Sequence, residues 1–376
     1  MSMSMPDWLF PILDSAARLG ADALLITSPV HMFYLAGIQL SGTRPAALLL
    51  DPSHAEFVGC EEDGEAARQT APWLTHCSDF PYHPRMGAGA LLAGFERALA
   101  GALYHWSAVS CWGMEAGHLP RAVGRVLGSA LTVDVTEVLL RARLRKRPDE
   151  IARIADAVAC NDAAFQAVAG ALQPGVSELE LLGEAFAGMC RAAPEAPFLN
   201  LAISDAVSGP RTWEIGGPAT ARRLQRGDIF LLDISTRCQG YFADTTRCFI
   251  LGDPSAELQR MHRTLEEAVQ AGQDAIRPGL RAGELDAIVR GVVHAAGYAL
   301  EHFPHHVGHG IGLAPQEDPW IVPDSDQVLE EGMVFTLEPG IYIPGVGGMR
   351  LEDNFVVTAG GCQALSHYPR RLTIVL

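Results

Sequence analysis

The sequence predicts an α/β amino-terminal domain over residues 1–145 and a second domain over residues 146–376, built from two half-domains related by an internal pseudo-twofold. Three observations lead there. A chain of 376 residues exceeds the ~100–200 residues of one ordinary domain. Up to about Leu140, apolar runs of strand length alternate with helical periodicity, the pattern of an α/β unit. Beyond it, a helix, a Pro-Gly turn, a second helix and an apolar strand ending on a carboxylate occur twice in nearly one register.

In the first domain, Ala23-Leu24-Leu25-Ile26 and Ala46-Ala47-Leu48-Leu49-Leu50 have strand length, and Asp51-Pro52 closes the second. Leu91, Leu92, Phe95 and Leu99 fall on one helical face. Pro81-Tyr82-His83-Pro84-Arg85, with Gly87 and Gly89, marks the loop before it. The basic run Arg141 to Arg147, followed by Pro148, is the predicted boundary and reads as a solvated turn. Asp149 and Glu150 then open an amphipathic helix carrying Ile151, Ile154, Ala155, Val158 and Phe165.

The second domain repeats itself. Ala171-Leu172-Gln173-Pro174-Gly175-Val176, followed by Glu178-Leu179, matches Ala275-Ile276-Arg277-Pro278-Gly279-Leu280, followed by Glu284-Leu285. A helical run (Leu258, Met261, Leu265, Val269) precedes the second copy. Further on, Gly227-Asp228-Ile229-Phe230-Leu231-Leu232-Asp233 matches Gly332-Met333-Val334-Phe335-Thr336-Leu337-Glu338. Solenoid repeats are ~20–50 residues long. This longer spacing therefore predicts two fused half-domains.

Composition narrows the function classes. With 28 basic and 44 acidic side chains, the net charge is −16, which argues against general affinity for nucleic acid or anionic membranes. No stretch approaches the ~20 apolar residues of a membrane span. The start, MSMSMPDWLFP, lacks the charged and apolar regions of a signal peptide. Eight scattered cysteines without a CxxC pair read as small buried hydrophobes. The expectation is a soluble cytoplasmic protein.

The repeat brings acids to matching places. Asp233 ends the apolar run Ile229-Phe230-Leu231-Leu232, and Asp244 follows on a second predicted strand, Gly240 to Arg247. The other half offers Glu338 and then Glu352. If the halves face each other, these four carboxylates converge. Two unit charges ~4 Å apart repel by ~4 kcal/mol at an effective dielectric near 20, so the four must protonate or bind cations. Two divalent ions would balance them. The nitrogen ligand would be His309, whose flanking glycines permit close backbone approach. Such an oxygen-rich set suits manganese or cobalt, with zinc or iron as alternatives.

The motifs LLDIS, GYFADTTR, HHVGHGIGL, FTLEPGIY and GMRLEDN together resemble the pita-bread metallopeptidase family, which includes prolidase, aminopeptidase P, methionine aminopeptidase and creatinase-like relatives. The resemblance covers most of the chain. It implies an α+β pita-bread catalytic domain with a curved, mostly antiparallel sheet over residues 146–376, preceded by a creatinase/prolidase-like amino-terminal domain. It implies that Asp233, Asp244, His309, Glu338 and Glu352 hold two divalent metal ions, that Glu338 assists proton transfer, and that a bridging hydroxide attacks the scissile carbonyl. Thr246 and Arg350 sit beside ligands, where they are expected to hydrogen-bond them. His305 fits a family position near the leaving group. A homodimer is also implied.

Two positions depart from the family. Gly216 stands where the loop before the first ligand strand carries a histidine, and Gln316 stands where a second histidine follows the ligand histidine. Glutamine still donates a hydrogen bond but carries no proton or charge. Trp213 either packs or shapes the substrate pocket. Arg44, in Ser41-Gly42-Thr43-Arg44-Pro45, is either a surface turn residue or a partner for a dipeptide carboxylate. The first expectation is an Xaa-Pro dipeptidase or aminopeptidase P-type hydrolase acting on a small peptide. Behind it stand a hydrolase of a small non-peptide amide or amidine and a non-catalytic binding protein.

Overall fold

The computed structural model describes residues 4–40, 44–118, 120–193 and 200–376. The expected turn residues Ser41 to Thr43 lie outside them. The chain divides into two compact units, Met1–Arg143 and Leu144–Leu376.

The first unit is α/β. Its strands are β1 (Ala23–Ile26), β2 (Ala47–Leu50), β3 (Ala55–Cys60), β4 (His76–Phe80), β5 (Cys111–Met114) and β6 (Leu131–Asp134). They form one mixed sheet in the order β4-β3-β2-β1-β5-β6. Residues of β1 and β2 are buried throughout, which is why their sequence runs apolar without alternating. The helix Ala88–His105 turns the predicted face inward, with Phe95 and Leu99 fully buried and Leu91 and Leu92 packed at its margin. Arg44 belongs to this unit. Its guanidinium is bidentate to Asp63, at 2.9 and 2.6 Å, and also donates to Glu62.

The basic run departs from the sequence expectation. It is not a solvated turn: Arg141 to Leu144 end a helix, Thr136–Leu144, and Arg143 and Lys146 are buried. Lys146 pairs with Glu317 at 2.9 Å. A buried ammonium needs such a partner to offset its desolvation.

The second unit carries the repeat. Helix α1 (Pro148–Ala171) leads through a turn to α2 (Glu178–Ala192), and α3 (Ala256–Ala275) leads likewise to α4 (Ala282–Ala295). Gly175 and Gly279 adopt matching left-handed φ values of 87° and 89°, a conformation open to glycine without a Cβ clash. Their N–H groups bond to Leu224 and Leu329 at 2.8 and 2.9 Å. Glu180 and Glu284 then accept the N–H of Ser177 and Arg281 at matching helix starts. The structural equivalent of Glu284 is therefore Glu180, two residues beyond the Glu178 expected from sequence.

The strands of this unit are β7 (Asn200–Ser208), β8 (Ile229–Cys238), β9 (Tyr241–Leu251), β10 (Gly308–Gly310), β11 (Glu317–Ile321), β12 (Val334–Leu337), β13 (Gly340–Ile343), β14 (Gly347–Arg350), β15 (Asp353–Thr358), β16 (Gly361–Ala364) and β17 (Thr373–Val375). One sheet runs β17-β9-β8-β7, a second runs β11-β10-β12-β15-β16, and β13 pairs with β14. All pairings are antiparallel except β17 with β9. A continuous core joins both halves, from Leu231 and Ile250 through Met261 and Leu285 to Phe335 and Phe355. All eight cysteines are free; four are buried and Cys190 is exposed. No helix of the described residues is long and apolar enough to cross a membrane.

Candidate metal centre

Register decides which side chains of the β8–β9 hairpin meet. Asp233 lies opposite Thr246, and Ser235 opposite Asp244. Side chains alternate along a strand, so Asp233, Ser235, Asp244 and Thr246 share one face. Asp205 of β7 lies opposite Asp233 and joins the same face. Asp233 does not end its strand, as the sequence pattern suggested. β8 continues to Cys238, because β7 and β9 supply backbone partners on both sides.

The second half contributes from less regular backbone. Glu338 directly follows β12, and its N–H bonds to the Val307 carbonyl at 2.7 Å. Glu352 sits on no strand but in the gap between β14 and β15, where its N–H bonds to the Thr246 carbonyl at 3.2 Å. Thr246 also donates its hydroxyl to Glu352 Oε2 at 2.8 Å. Asn354 clamps Asp244 in the same way, receiving its N–H on Oδ1 and donating Nδ2 to its carbonyl at 3.2 and 2.6 Å. Sequence analysis did not single out Asn354, although it stands within the GMRLEDN motif.

His309 is held with its imidazole aimed inward. Its Nδ1–H donates to the Gly310 carbonyl at 3.0 Å, which leaves the Nε2 lone pair free for a metal. Nε2 lies 3.4 Å from Glu338 Oε1 and 3.7 Å from Asp244 Oδ2. The flanking glycines permit this seating. A Cβ on Gly308 would stand 1.9 Å from the Thr336 carbonyl oxygen, and one on Gly310 would stand 2.2 Å from that of Asp318.

The electrostatics show what the acids lack. Burial, reinforced by neighbouring carboxylates, pushes Asp244 and Glu352 well above the usual carboxylate range, and burial also raises Asp233. Burial acts on Glu338 too, but His306, His309 and His305 outweigh it and hold its carboxyl down at about 2. Asp244 Oδ1, Glu352 Oε1 and His306 Nε2 are buried without hydrogen-bond partners. Such atoms are costly to leave unmet. Asp244, His309 and Glu352 each bring a ligand atom within 4.8 Å of the others, and so do His306, His309 and Glu338. The donor chemistry fits divalent ions.

Arg350 binds the centre together. It donates to Asp233, to Asp205 at 3.1 Å, to Thr246 at 3.1 Å, to Tyr342 at 2.8 Å and to the Ile215 carbonyl at 2.9 Å. These acceptors keep it charged despite burial. Tyr342 hydrogen-bonds His305 Nε2 at 3.0 Å, while His305 Nδ1 pairs with the His306 carbonyl at 2.8 Å. Burial lowers the His305 pKa to about 4, so its neutral ring accepts from Tyr342. Ile215, held by Arg350, has a φ of 78°, an uncommon and strained value for a β-branched residue.

The loop before β8 explains Gly216. A Cβ there would meet the Asp205 carboxylate at 2.1 Å, so Asp205 fills the space in which a side chain at 216 would begin. Asp205 Oδ1 also accepts the Gly217 N–H at 2.8 Å. Buried Glu178 anchors the rest of the loop, accepting from Ser208, Thr220 and Arg211. Trp213 is 40 % exposed and lines a cavity of about 250 Å³ with Gly209, Asp228 and Val346, apart from the metal-ligating groups. Gln316 is exposed in the segment between β10 and β11. Sequence reasoning missed Asp205 and His306: an acid on an unremarkable strand and a histidine beside another histidine give no signal until the register is known.

Residues 152–359 match Metallopeptidase family M24, and residues 12–145 match the Creatinase/Prolidase N-terminal domain. The chain is similar to an Xaa-Pro dipeptidase of Lactobacillus helveticus, 31 % identical over 94 % of this chain and 95 % of the relative. It also superposes on an Xaa-Pro dipeptidase from Bacillus anthracis with a TM-score of 0.85, at 29 % identity over 98 % of this chain and 99 % of that one. The prolidase from Pyrococcus horikoshii OT3 gives a TM-score of 0.84 at 27 % identity, covering 98 % of this chain and 100 % of the other. With the catalytic-domain match covering more than half of the chain and relatives aligned over both units, the chain belongs to metallopeptidase family M24, as a metal-dependent hydrolase of the prolidase branch.

Proposed function

We propose that this chain is an Xaa-Pro dipeptidase that holds two divalent ions through Asp233, Asp244, His309, Glu338 and Glu352, acting as a cytoplasmic homodimer. The metal-site reading rests on the buried, unpartnered oxygens of Asp244 and Glu352 around His309 Nε2. The substrate reading draws on the Lactobacillus helveticus Xaa-Pro dipeptidase, which aligns over both domains. Manganese or cobalt suits the oxygen-rich donors. When bound, such ions activate the scissile carbonyl and generate a nucleophile from water at neutral pH.

The chain's own residues do the rest. Glu338, ionised at neutral pH, is the group able to take a proton from the attacking water and pass it on. Thr246 and Arg350 fix the orientations of Glu352 and Asp233. His305, neutral and bonded to Tyr342, offers no charge. Gln316 is the one side chain at the two altered positions able to donate a hydrogen bond to substrate. Arg44, whose guanidinium is engaged by Asp63 and Glu62, would bind a dipeptide carboxylate only by exchanging partners. Proline release from Xaa-Pro dipeptides and tripeptides, with manganese or cobalt and with chelator, tests this reading. Metal-dependent release from dipeptides is expected, and none from metal-loaded protein would reject it.

Asp205 favours a second reading, a small non-peptide amide or amidine substrate. Its carboxylate occupies the space beside Gly216 and is partly exposed, although it would pair with a substrate cation only by sharing or exchanging its Arg350 contact. Turnover of cationic amides without release of proline would select it.

A further inference from the structure

His306 acts in the centre described so far only through its charge effect on Glu338. It precedes β10, next to His305 and three residues before His309. A quarter of its side chain is exposed, yet its Nε2 is buried and lacks a hydrogen-bond partner. That nitrogen lies 3.1 Å from Glu338 Oε1, the same oxygen that His309 Nε2 approaches at 3.4 Å. The distance suits a hydrogen bond but the alignment does not. Two groups that close, without pointing at each other, are placed to share a third body.

The surroundings support this placement. The His306 and His309 rings meet nearly at right angles, 77° with centroids 5.4 Å apart. The Trp320 ring packs edge-on against His306 at 5.3 Å and lies 5.9 Å from His309, which restricts both imidazoles. The ligand atoms of His306, His309 and Glu338 lie within 4.8 Å of one another, as do those of Asp244, His309 and Glu352. His309 belongs to both triads. The first offers two imidazole nitrogens and one carboxylate.

We propose that His306 is a metal ligand through Nε2, giving this centre two imidazoles where sequence resemblance implied one. The inference rests on the metal-centre reading above. Its chemical consequence is selectivity. Imidazole suits zinc, cobalt, nickel and iron, whereas manganese favours oxygen donors. The position bounded by His306 and Glu338 should prefer zinc or cobalt to manganese, while the one bounded by Asp244 and Glu352 keeps the oxygen-rich preference.

The test titrates the metal-free full-length protein with cobalt(II) and follows the visible absorption of the bound ion, with total metal measured after dialysis. Wild type should bind two equivalents. His306→Gln should weaken one of them by at least ~10-fold, leave the other unchanged, and narrow the preference for cobalt over manganese. X-ray absorption on the cobalt-loaded wild type counts imidazoles directly and needs no variant: two per pair of metals are expected, and one would overturn the proposal. Unchanged affinity and spectrum in a folded His306→Gln protein would overturn it too. Failure of the underlying reading looks different. In that case wild type itself binds no stoichiometric cobalt, and Asp244→Asn changes nothing.

Discussion

The two halves of the second unit start from one plan and end differently. In the first half, β8 and β9 run for ten and eleven residues without a break, and their shared face carries Asp233, Asp244 and Thr246. In the second half the backbone is cut into β12, the β13–β14 hairpin and β15, with Glu338 and Glu352 in the gaps. The first half is a rigid platform of acids. The second gives up regular pairing and gains two inward histidines, a Tyr342-Arg350 relay and a carboxylate whose direction depends on Thr246. A duplicated fold can keep its helices and turns identical while one copy specialises, because helix–turn packing and strand-end chemistry rest on different residues.

The largest effect should come from removing an acid of either half. Asp244→Asn and Glu352→Gln should each lower hydrolysis by more than the ~10²–10³-fold typical of losing one positioned electrostatic group. Both should also reduce bound metal. Equal losses would mean that the halves contribute equally, despite their different backbones. Next in size is Thr246→Val, which removes the hydroxyl that links the platform to Glu352. A ~10–100-fold fall in metal affinity is expected, read by competition with a chelating dye, with little change in unfolding of the metal-free protein.

Glycine substitutions separate shared from specialised parts. Gly175→Ala and Gly279→Ala occupy equivalent turns with open space around each, so each should cost only the ~1–2 kcal/mol of a left-handed L-residue. Gly308→Ala drives a Cβ into the Thr336 carbonyl and should cost ~1–3 kcal/mol or more, with loss of metal binding as well. Unfolding midpoints rank the three. A Gly308→Ala protein as stable as Gly279→Ala would mean that the His309 strand yields easily.

The smallest effect concerns acidity. In metal-free protein, the raised Asp233, Asp244 and Glu352 carboxyls bind protons more tightly folded than unfolded. They therefore add stability below the ordinary carboxylate range, and it is lost as pH rises through their folded values. Metal binding needs the same groups ionised and His309 neutral. The gain in midpoint on adding manganese should accordingly be larger at pH 7.5 than at pH 5.5. A gain independent of pH would contradict the ligand set.

Much of this protein was legible in sequence. The repeat, the alternation of the first unit, the glycine-flanked histidine and the paired acids are local patterns, and local patterns survive in one dimension because strand and helix periods are short. Asp233 and Glu338 were found through their matching places in that repeat. Asp205 and His306 were not, since a side chain's neighbours across a sheet depend on register and on which loop packs against it. Lys146 looked solvated because nothing in the basic run announces Glu317, 171 residues away. The sequence by itself laid out the two-part architecture, because apolar spacing leaves few alternatives, and its family resemblance nominated Asp233, Asp244, His309, Glu338 and Glu352 as ligands. Only the tertiary structure decided which nitrogen of His309 faces inward, that Arg350 serves Asp205 and Asp233 together, and that Gly216 leaves room for a carboxylate. Those outcomes depend on distances between residues far apart in the chain, and they exist only after packing has fixed them.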